Sequence, residues 1–195
     1  VLVSLIASAL TGYGATRFNF KGKSAFLSFI LMTQMFPSIM LLVPFYKILS
    51  IYGLNNSLVG LCVVYISFTI PFCSWMMVGY YRTIPVEIDE SAAIDGASSI
   101  QTFLRITLPL VRPGLVSSAI YAFITCWNEY MFAAILIMND KMKTAAVAIA
   151  EMNGYYRIAW NDMMAASLVA SVPLIIAFIF MQKSFISGLT AGAVK

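Results

Sequence analysis

PVEIDESAAIDGASSIQTFLRITLP, residues 85–109, is the stretch whose reading decides the fold. It holds four of the chain's eight acids, Glu87, Asp89, Glu90 and Asp95, between flanks that are almost pure hydrocarbon. An acidic, small-residue island of this kind has no place in lipid, so it is read as an excursion between membrane spans. The spacing predicts two short helices. Ile88 to Ile94 forms the first, with Asp89 and Glu90 favourable against the positive end of its dipole. Asp95-Gly96 is the break, because glycine adopts positive φ without steric cost. Ser98 or Ser99 caps a second helix running to about Leu108, and Pro109 opens the next segment. Ile88, Ala92, Ile100, Phe103 and Leu104 are expected to give the pair an apolar face for docking.

The rest of the chain supplies the spans. Of its 195 residues 61% are hydrophobic and 10% charged, there is no His, and the mean hydropathy is +0.89. A soluble domain carries about 25% charge, so composition alone implies a membrane protein. The length suits about five spans of about 20 residues. A net charge of +4 without a basic patch argues against nucleic acid as a partner. Cys62, Cys73 and Cys126 lie far apart in apolar runs and are read as structural thiols, not metal ligands. The lack of His removes the commonest general base.

Val1 to Ala15 reads as the end of a helix whose start is missing. The basic run RFNFKGK, residues 17–23, then marks the cytoplasmic side. Ala25 to about Leu49 is a span kinked at Pro37 and Pro44, with Thr33 and Gln34 before the first proline. Ser50 to Ser57 is an outer loop, Leu54 to Tyr80 returns inward past Pro71, and Arg82 marks arrival. Leu110 to about Met138 crosses outward, Asn139 to Met163 is a polar outer segment, and Met164 to Ile186 re-crosses. This layout places eight Lys/Arg inside and four outside, as the positive-inside rule requires. The 85–109 loop and the C-terminus are then cytoplasmic. The whole is read as one domain, residues 1–195.

Within the 110–138 span Ser118, Tyr121, Thr125 and Asn128 share one helical face, flanked by Ser117 and Glu129. Such a stripe faces protein or water. With Trp127 and Tyr130 nearby it suits a neutral polyhydroxylated ligand, and it equally suits an interhelical hydrogen-bond seam. Glu129 pairs with a partner or loop residue, or contacts a ligand.

These motifs resemble those of ABC-importer permeases. Glu90-Ser91-Ala92, Asp95-Gly96-Ala97, Phe103, Ile106 and Leu108-Pro109 are similar to the EAA loop, departing at Ser91 where the family usually has Ala. Tyr13, Arg17, Phe18, Phe20 and Gly22 resemble the Y-x-x-x-R-F-x-F-x-G pattern of sugar-importer permeases. Trp127-Asn128-Glu129-Tyr130 resembles their W-N-[DE]-[FY] signature, and Gly188 to Lys195 the ending of the second, maltose-type permease subunit.

The resemblance implies an all-α, polytopic type I importer fold and a non-catalytic subunit that binds no cofactor itself. ATP and Mg would sit on two partner ATPase subunits. Glu90, Ser91, Ala92, Asp95, Gly96, Ala97, Phe103 and Pro109 would couple to them. Ser118, Tyr121, Thr125, Asn128 and Glu129 would line the substrate pathway. Asn153, Gly154 and Tyr155, in EMNGYYRIAWND (residues 151–162), would meet an extracytoplasmic solute-binding protein. A second homologous permease, membrane lipid and a sugar complete the expected set, in a bacterial or archaeal cytoplasmic membrane. A permease for polyamines or glycerol phosphate stays open within the family. A secondary transporter would need coupling residues in the spans, where Glu129 is the one candidate; an intramembrane enzyme would need a nucleophile–base pair that the spacing does not offer.

Overall fold

The computed structural model describes residues 1–154 and 159–191, with residues 181–191 described by their backbone alone. Among the described residues the chain is helical throughout, without a β-strand. The elements are α1 (Leu2–Arg17), α2 (Lys23–Thr33), a 3₁₀ turn (Ser38–Leu41), α3 (Leu42–Ile51) and α4 (Leu58–Arg82). After them come α5 (Glu87–Ile94), α6 (Ser99–Thr102), a π turn (Phe103–Thr107), α7 (Leu108–Leu110) and α8 (Arg112–Trp127). Then α9 (Met131–Leu136), a 3₁₀ turn (Asp140–Met142), α10 (Ala145–Glu151) and α11 (Trp160–Ala191) complete the fold.

Two of these helices, α4 and the Trp160–Phe180 part of α11, are each long and apolar enough to cross a membrane. Each of two broken pairs can supply one more. α1, read in the sequence as the end of a helix whose start is missing, has 16 residues.

The helix bounds correct the sequence reading in three places. The span expected from Ala25 to Leu49 is not one kinked helix. It stops at Thr33 and resumes at Ser38, because the residue before Pro37 is barred from the α region and the ring removes a donor. Pro44, by contrast, lies in the first turn of α3, where no donor is needed. The span expected to reach Met138 ends at Trp127, and α9 restarts four residues on. The last helix is longer than expected, starting at Trp160 and passing through Pro173 without a stop.

The chain divides into two compact units that do not follow chain order. The first holds Val1–Met35, Phe68–Ala122 and the chain from Met181; the second holds Phe36–Ser67 and Phe123–Phe180. The long helices α4 and α8 each give one part to each unit.

In the first unit α1 lies on α4 through a strip of small residues. Ser4, Ser8 and Gly12, one helical repeat apart, are all buried, and Ser4 Oγ lies 2.7 Å from Thr69 Oγ1. Small side chains let helix backbones approach closely, which is how spans pack when lipid offers no hydrophobic contrast. A Cβ on Gly12 would come within 2.8 Å of Met77 Cβ and 2.8 Å of Tyr81 Cδ2. Gly12→Val is therefore expected to cost roughly 1–3 kcal/mol by overpacking. Gly14→Ala, whose Cβ meets nothing within 4 Å, serves as the control. Melting of the purified protein in detergent checks this; equal melting of the two variants would refute the close packing. Around this seam Ala9, Tyr13, Met77, Tyr81, Phe103 and Val111 form the unit's core.

Candidate functional site: a helical elbow and a capped span end

The 85–109 stretch folds as an elbow built by local signals. α5 begins at Glu87 with three acids in its first turn and ends at Ile94, with Asp95 as its C-cap. Gly96 follows at φ +84°. Ser98 caps α6 with a reciprocal box: Gln101 N–H donates to Ser98 Oγ at 3.3 Å, and Ser98 N–H to Gln101 Oε1 at 2.8 Å. Pro109 does not begin a new segment. It lies inside the arm Ser99–Leu110, whose direction changes by 75° only at Val111. The π turn before it explains how the helix accommodates the ring. Leu108 N–H bonds Phe103 O, and Thr107 Oγ1 bonds Thr102 O at 3.0 Å. The wider turn carries the carbonyls away from a proline that would strike them in an α-helix.

The elbow is fastened to the spans by a buried ion pair that sequence reasoning missed. Arg17 Nε lies 2.7 Å from Asp89 Oδ2, with side chains 5% and 14% exposed. The same guanidinium donates to Ile84 O at 3.1 Å and to Tyr81 O at 3.5 Å, at the end of α4. Tyr13 Oη donates at 3.4 Å to Asp89 Oδ1 and to Ser99 O. One cation thus joins the ends of α1 and α4 to α5, and the adjacent tyrosine adds α6. Tyr13 and Arg17 were legible as a motif; their partner Asp89 was not.

The expected docking face is split by this arrangement. Ala92 and Phe103 are buried, Phe103 with its ring centroid 5.0 Å from that of Tyr13. They hold the elbow to its own chain and are not presented to a partner. Ile88 is half-buried and Ala97 likewise, while Glu90, Ser91, Asp95, Gly96 and Pro109 are exposed. Ile94, Ile100 and Leu104 are exposed apolar residues on the same elbow. A cleft of about 280 Å³ opens beside the ion pair, with Val86, Glu90 and Ala97 in its lining.

The polar stripe of α8 also divides. Ser118 is fully buried, its hydroxyl on Met76 Sδ at 3.4 Å. Ser117 is buried against Tyr80 Oη at 3.2 Å. Tyr121 stacks on Phe72 with centroids 4.0 Å apart. These are seam contacts. Thr125 is half-buried, and Asn128, past the end of α8, is exposed.

In the second unit the Trp127–Tyr130 string is a knot in which alternate residues hold the fold. Trp127 Nε1 donates to Ala170 O at 3.1 Å, near the turn that Pro173 loosens. Glu129 accepts from Tyr65 Oη at 2.8 Å and from the N–H groups of Phe132 at 2.9 Å and Ala133 at 3.1 Å. Its carboxylate therefore caps α9. Asn128 and Tyr130, between and after them, are exposed.

The segment expected to lie outside is shaped by two further devices. Asn56 Oδ1 accepts from Met138 and Asn139 N–H at 2.9 and 3.0 Å. Lys143 Nζ bridges Asp140 and Glu151, each at 2.6 Å, which holds the Asp140 carboxyl below the usual range and the Lys143 amine above its own. Asn153 and Gly154 are exposed beyond α10; Tyr155 lies outside the described residues.

Apolar helices long enough to cross a membrane, broken around a polar elbow, define a membrane-embedded chain. The chain belongs to the family of binding-protein-dependent transport system inner membrane components, whose model matches residues 4–190. It is 38% identical over 195 residues to the trehalose/maltose transport system permease protein MalG of Thermococcus litoralis, covering all of this chain and 70% of that one. It is 36% identical over 187 residues to the maltodextrin transport system permease protein MdxG of Bacillus subtilis, covering 95% and 67%. Its fold is shared with a chain of a bacterial ABC transporter that imports the acidic polysaccharide alginate. The TM-score there is 0.81 at 22% identity, over 95% of this chain and 70% of that one.

Proposed function

We propose that this chain is the membrane-spanning subunit of an ATP-driven, binding-protein-dependent importer of sugars. The observation that carries the coupling role is the elbow. Its inner side is locked to α1 and α4 by Arg17–Asp89, while Glu90, Asp95, Gly96, Ile94 and Ile100 stand outward. A partner gripping the outer side moves the spans with it. Sugar as cargo rests on the names of the relatives, trehalose/maltose and maltodextrin permeases among them.

The chain makes and breaks no bond. Two ATPase subunits would grip the two elbows of this chain and of a second, homologous permease, and a solute-binding protein would deliver cargo to the opposite face. Closure of the ATPase pair shifts access only by contacting the two conformations differently. The cation distribution supports a cytoplasmic elbow. Asn128 and Tyr130 are the residues free to meet a sugar, by hydrogen bond and by stacking. Asn153 and Gly154 would meet the binding protein; their exposure, beyond a segment held by the Lys143 bridge, supports that role.

The test is ATP hydrolysis by the reconstituted complex, with and without binding protein, across mono- and oligosaccharides. Stimulation by one loaded binding protein supports the reading and names the sugar. Assembly with an ATPase but no response to any sugar leaves a permease for another solute.

Gly96 separates local strain from docking. A Cβ there meets nothing within 4 Å, yet φ is +84°. Gly96→Ala then costs about 1–2 kcal/mol of local strain, too little to unfold the elbow. Transport is expected to fall at least tenfold with normal membrane abundance, since the turn is what the partner grips. Near-normal transport by Gly96→Ala would remove Gly96 from the docking surface.

A further inference from the structure

We infer that the first unit carries a binding site for an anionic phospholipid, in a cleft between α2 and α4. The inference concerns the membrane around the protein and holds whatever solute it carries. The cleft has a volume of about 410 Å³ and is lined by Lys23, Ser24, Leu27, Leu31, Trp75 and Arg82, together with Ser28. Lys23 begins α2 and Arg82 ends α4, so both cations stand at one end of the cleft. That is also the end from which the 85–109 elbow emerges.

The lining changes along the cleft as a lipid does. Leu27 and Leu31 follow Lys23 at intervals of four on α2, and Trp75 precedes Arg82 by seven on α4; each series stays on one helical face. One end is therefore cationic and hydroxylated and the other aliphatic and aromatic, with Leu27 buried and Leu31 and Trp75 exposed along it. A tryptophan about two turns below a basic residue is the arrangement that anchors a span at the headgroup level. A free phosphate has no use for the leucines and the indole, and a zwitterionic lipid brings its own cation to a mouth that already has two.

Neither cation has another assignment. Lys23 Nζ touches only the Phe18 carbonyl, at 3.4 Å, and among the described residues no carboxylate pairs with Lys23 or Arg82. No acid is in the lining. Basic clefts between spans at the membrane surface are where anionic headgroups bind. The phosphodiester would sit between Lys23 and Arg82, its glycerol hydroxyls toward Ser24 and Ser28, with one acyl chain along Leu27, Leu31 and Trp75.

The experiment is native mass spectrometry of the assembled transporter, given equal amounts of phosphatidylglycerol and phosphatidylcholine in detergent. Selective retention of phosphatidylglycerol is expected, on the order of tenfold over phosphatidylcholine for two basic contacts. The pair Lys23→Gln with Arg82→Gln should remove that preference, and Lys47→Gln, outside the cleft, should keep it. Equal retention of the two lipids by the unaltered protein overturns the inference without any variant. So does a preference unchanged in the double variant, and so does displacement of the lipid by inorganic phosphate, which would mark a plain anion site.

Discussion

Asp89→Ala is expected to lower transport by at least an order of magnitude and to destabilise the chain, while Asp95→Ala, in the same elbow, destabilises it far less. The two acids are six residues apart and differ in what they touch. Asp95 is exposed, and a solvated carboxylate at a surface contributes about 0–1 kcal/mol. Asp89 lies 2.7 Å from Arg17, whose side chain is 5% exposed. Removing it leaves a buried guanidinium with only the carbonyls of Ile84 and Tyr81 as partners. Breaking a buried pair this way costs roughly 3–5 kcal/mol. That energy is drawn from the ion pair that ties α5 to the ends of α1 and α4, so the elbow would move under its partner without carrying the spans. The signature is a complex that hydrolyses ATP but does not transport. Arg17→Ala should behave alike, and Asp89→Asn, which keeps the shape but not the charge, should be intermediate. Measuring uptake and ATP hydrolysis on the same reconstituted complex tests this. If hydrolysis and uptake fall in strict proportion, the pair serves folding and not transmission.

The elbow was readable in outline because its signals are local. Acids in a first turn, a glycine at the break and a capping serine act within one turn of the chain. Their outcome, α5 from Glu87 to Ile94 and a box at Ser98, falls within a residue of the expectation. Asp89 was assigned to the helix dipole for the same reason: its true partner is 72 positions away, and nothing in the spacing of either residue names the other. The broken 25–49 span failed differently. Prolines in spans are tolerated or disruptive according to which neighbours re-satisfy the freed carbonyls, and that is a tertiary question. Pro173 passes inside a continuous helix while Pro37 ends one. The stripe on α8 was correct in periodicity, but a shared face does not say what the face meets. Ser118 and Tyr121 meet α4 side chains, whereas Asn128 is exposed.

Glu129 and Asn128 are adjacent in sequence, and their replacement is expected to give opposite phenotypes. Glu129→Ala strips three donors of their acceptor at once: the Tyr65 hydroxyl and the N–H groups of Phe132 and Ala133. Each unsatisfied partly buried donor costs about 1–3 kcal/mol, so α9 loses its cap and its tie to α4 together. The expected result is low membrane abundance and a lowered melting temperature, with the protein that survives showing an unchanged sugar preference. Glu129→Gln keeps one acceptor oxygen and should recover a large part of the stability. Asn128, by contrast, is exposed, and Asn128→Ala removes no side-chain hydrogen bond among the described residues. It should leave abundance and melting as they are and raise the KM for sugar uptake several-fold, as expected of a residue proposed to meet the sugar. Abundance, melting and uptake kinetics on the three variants decide the matter. If Glu129→Ala is as stable as the unaltered protein and shifts only the KM, then the carboxylate belongs to the pathway and the cap is incidental. If Asn128→Ala alters neither stability nor KM, the exposed amide has no part in sugar recognition, and Tyr130 is left as the residue of the string to carry it.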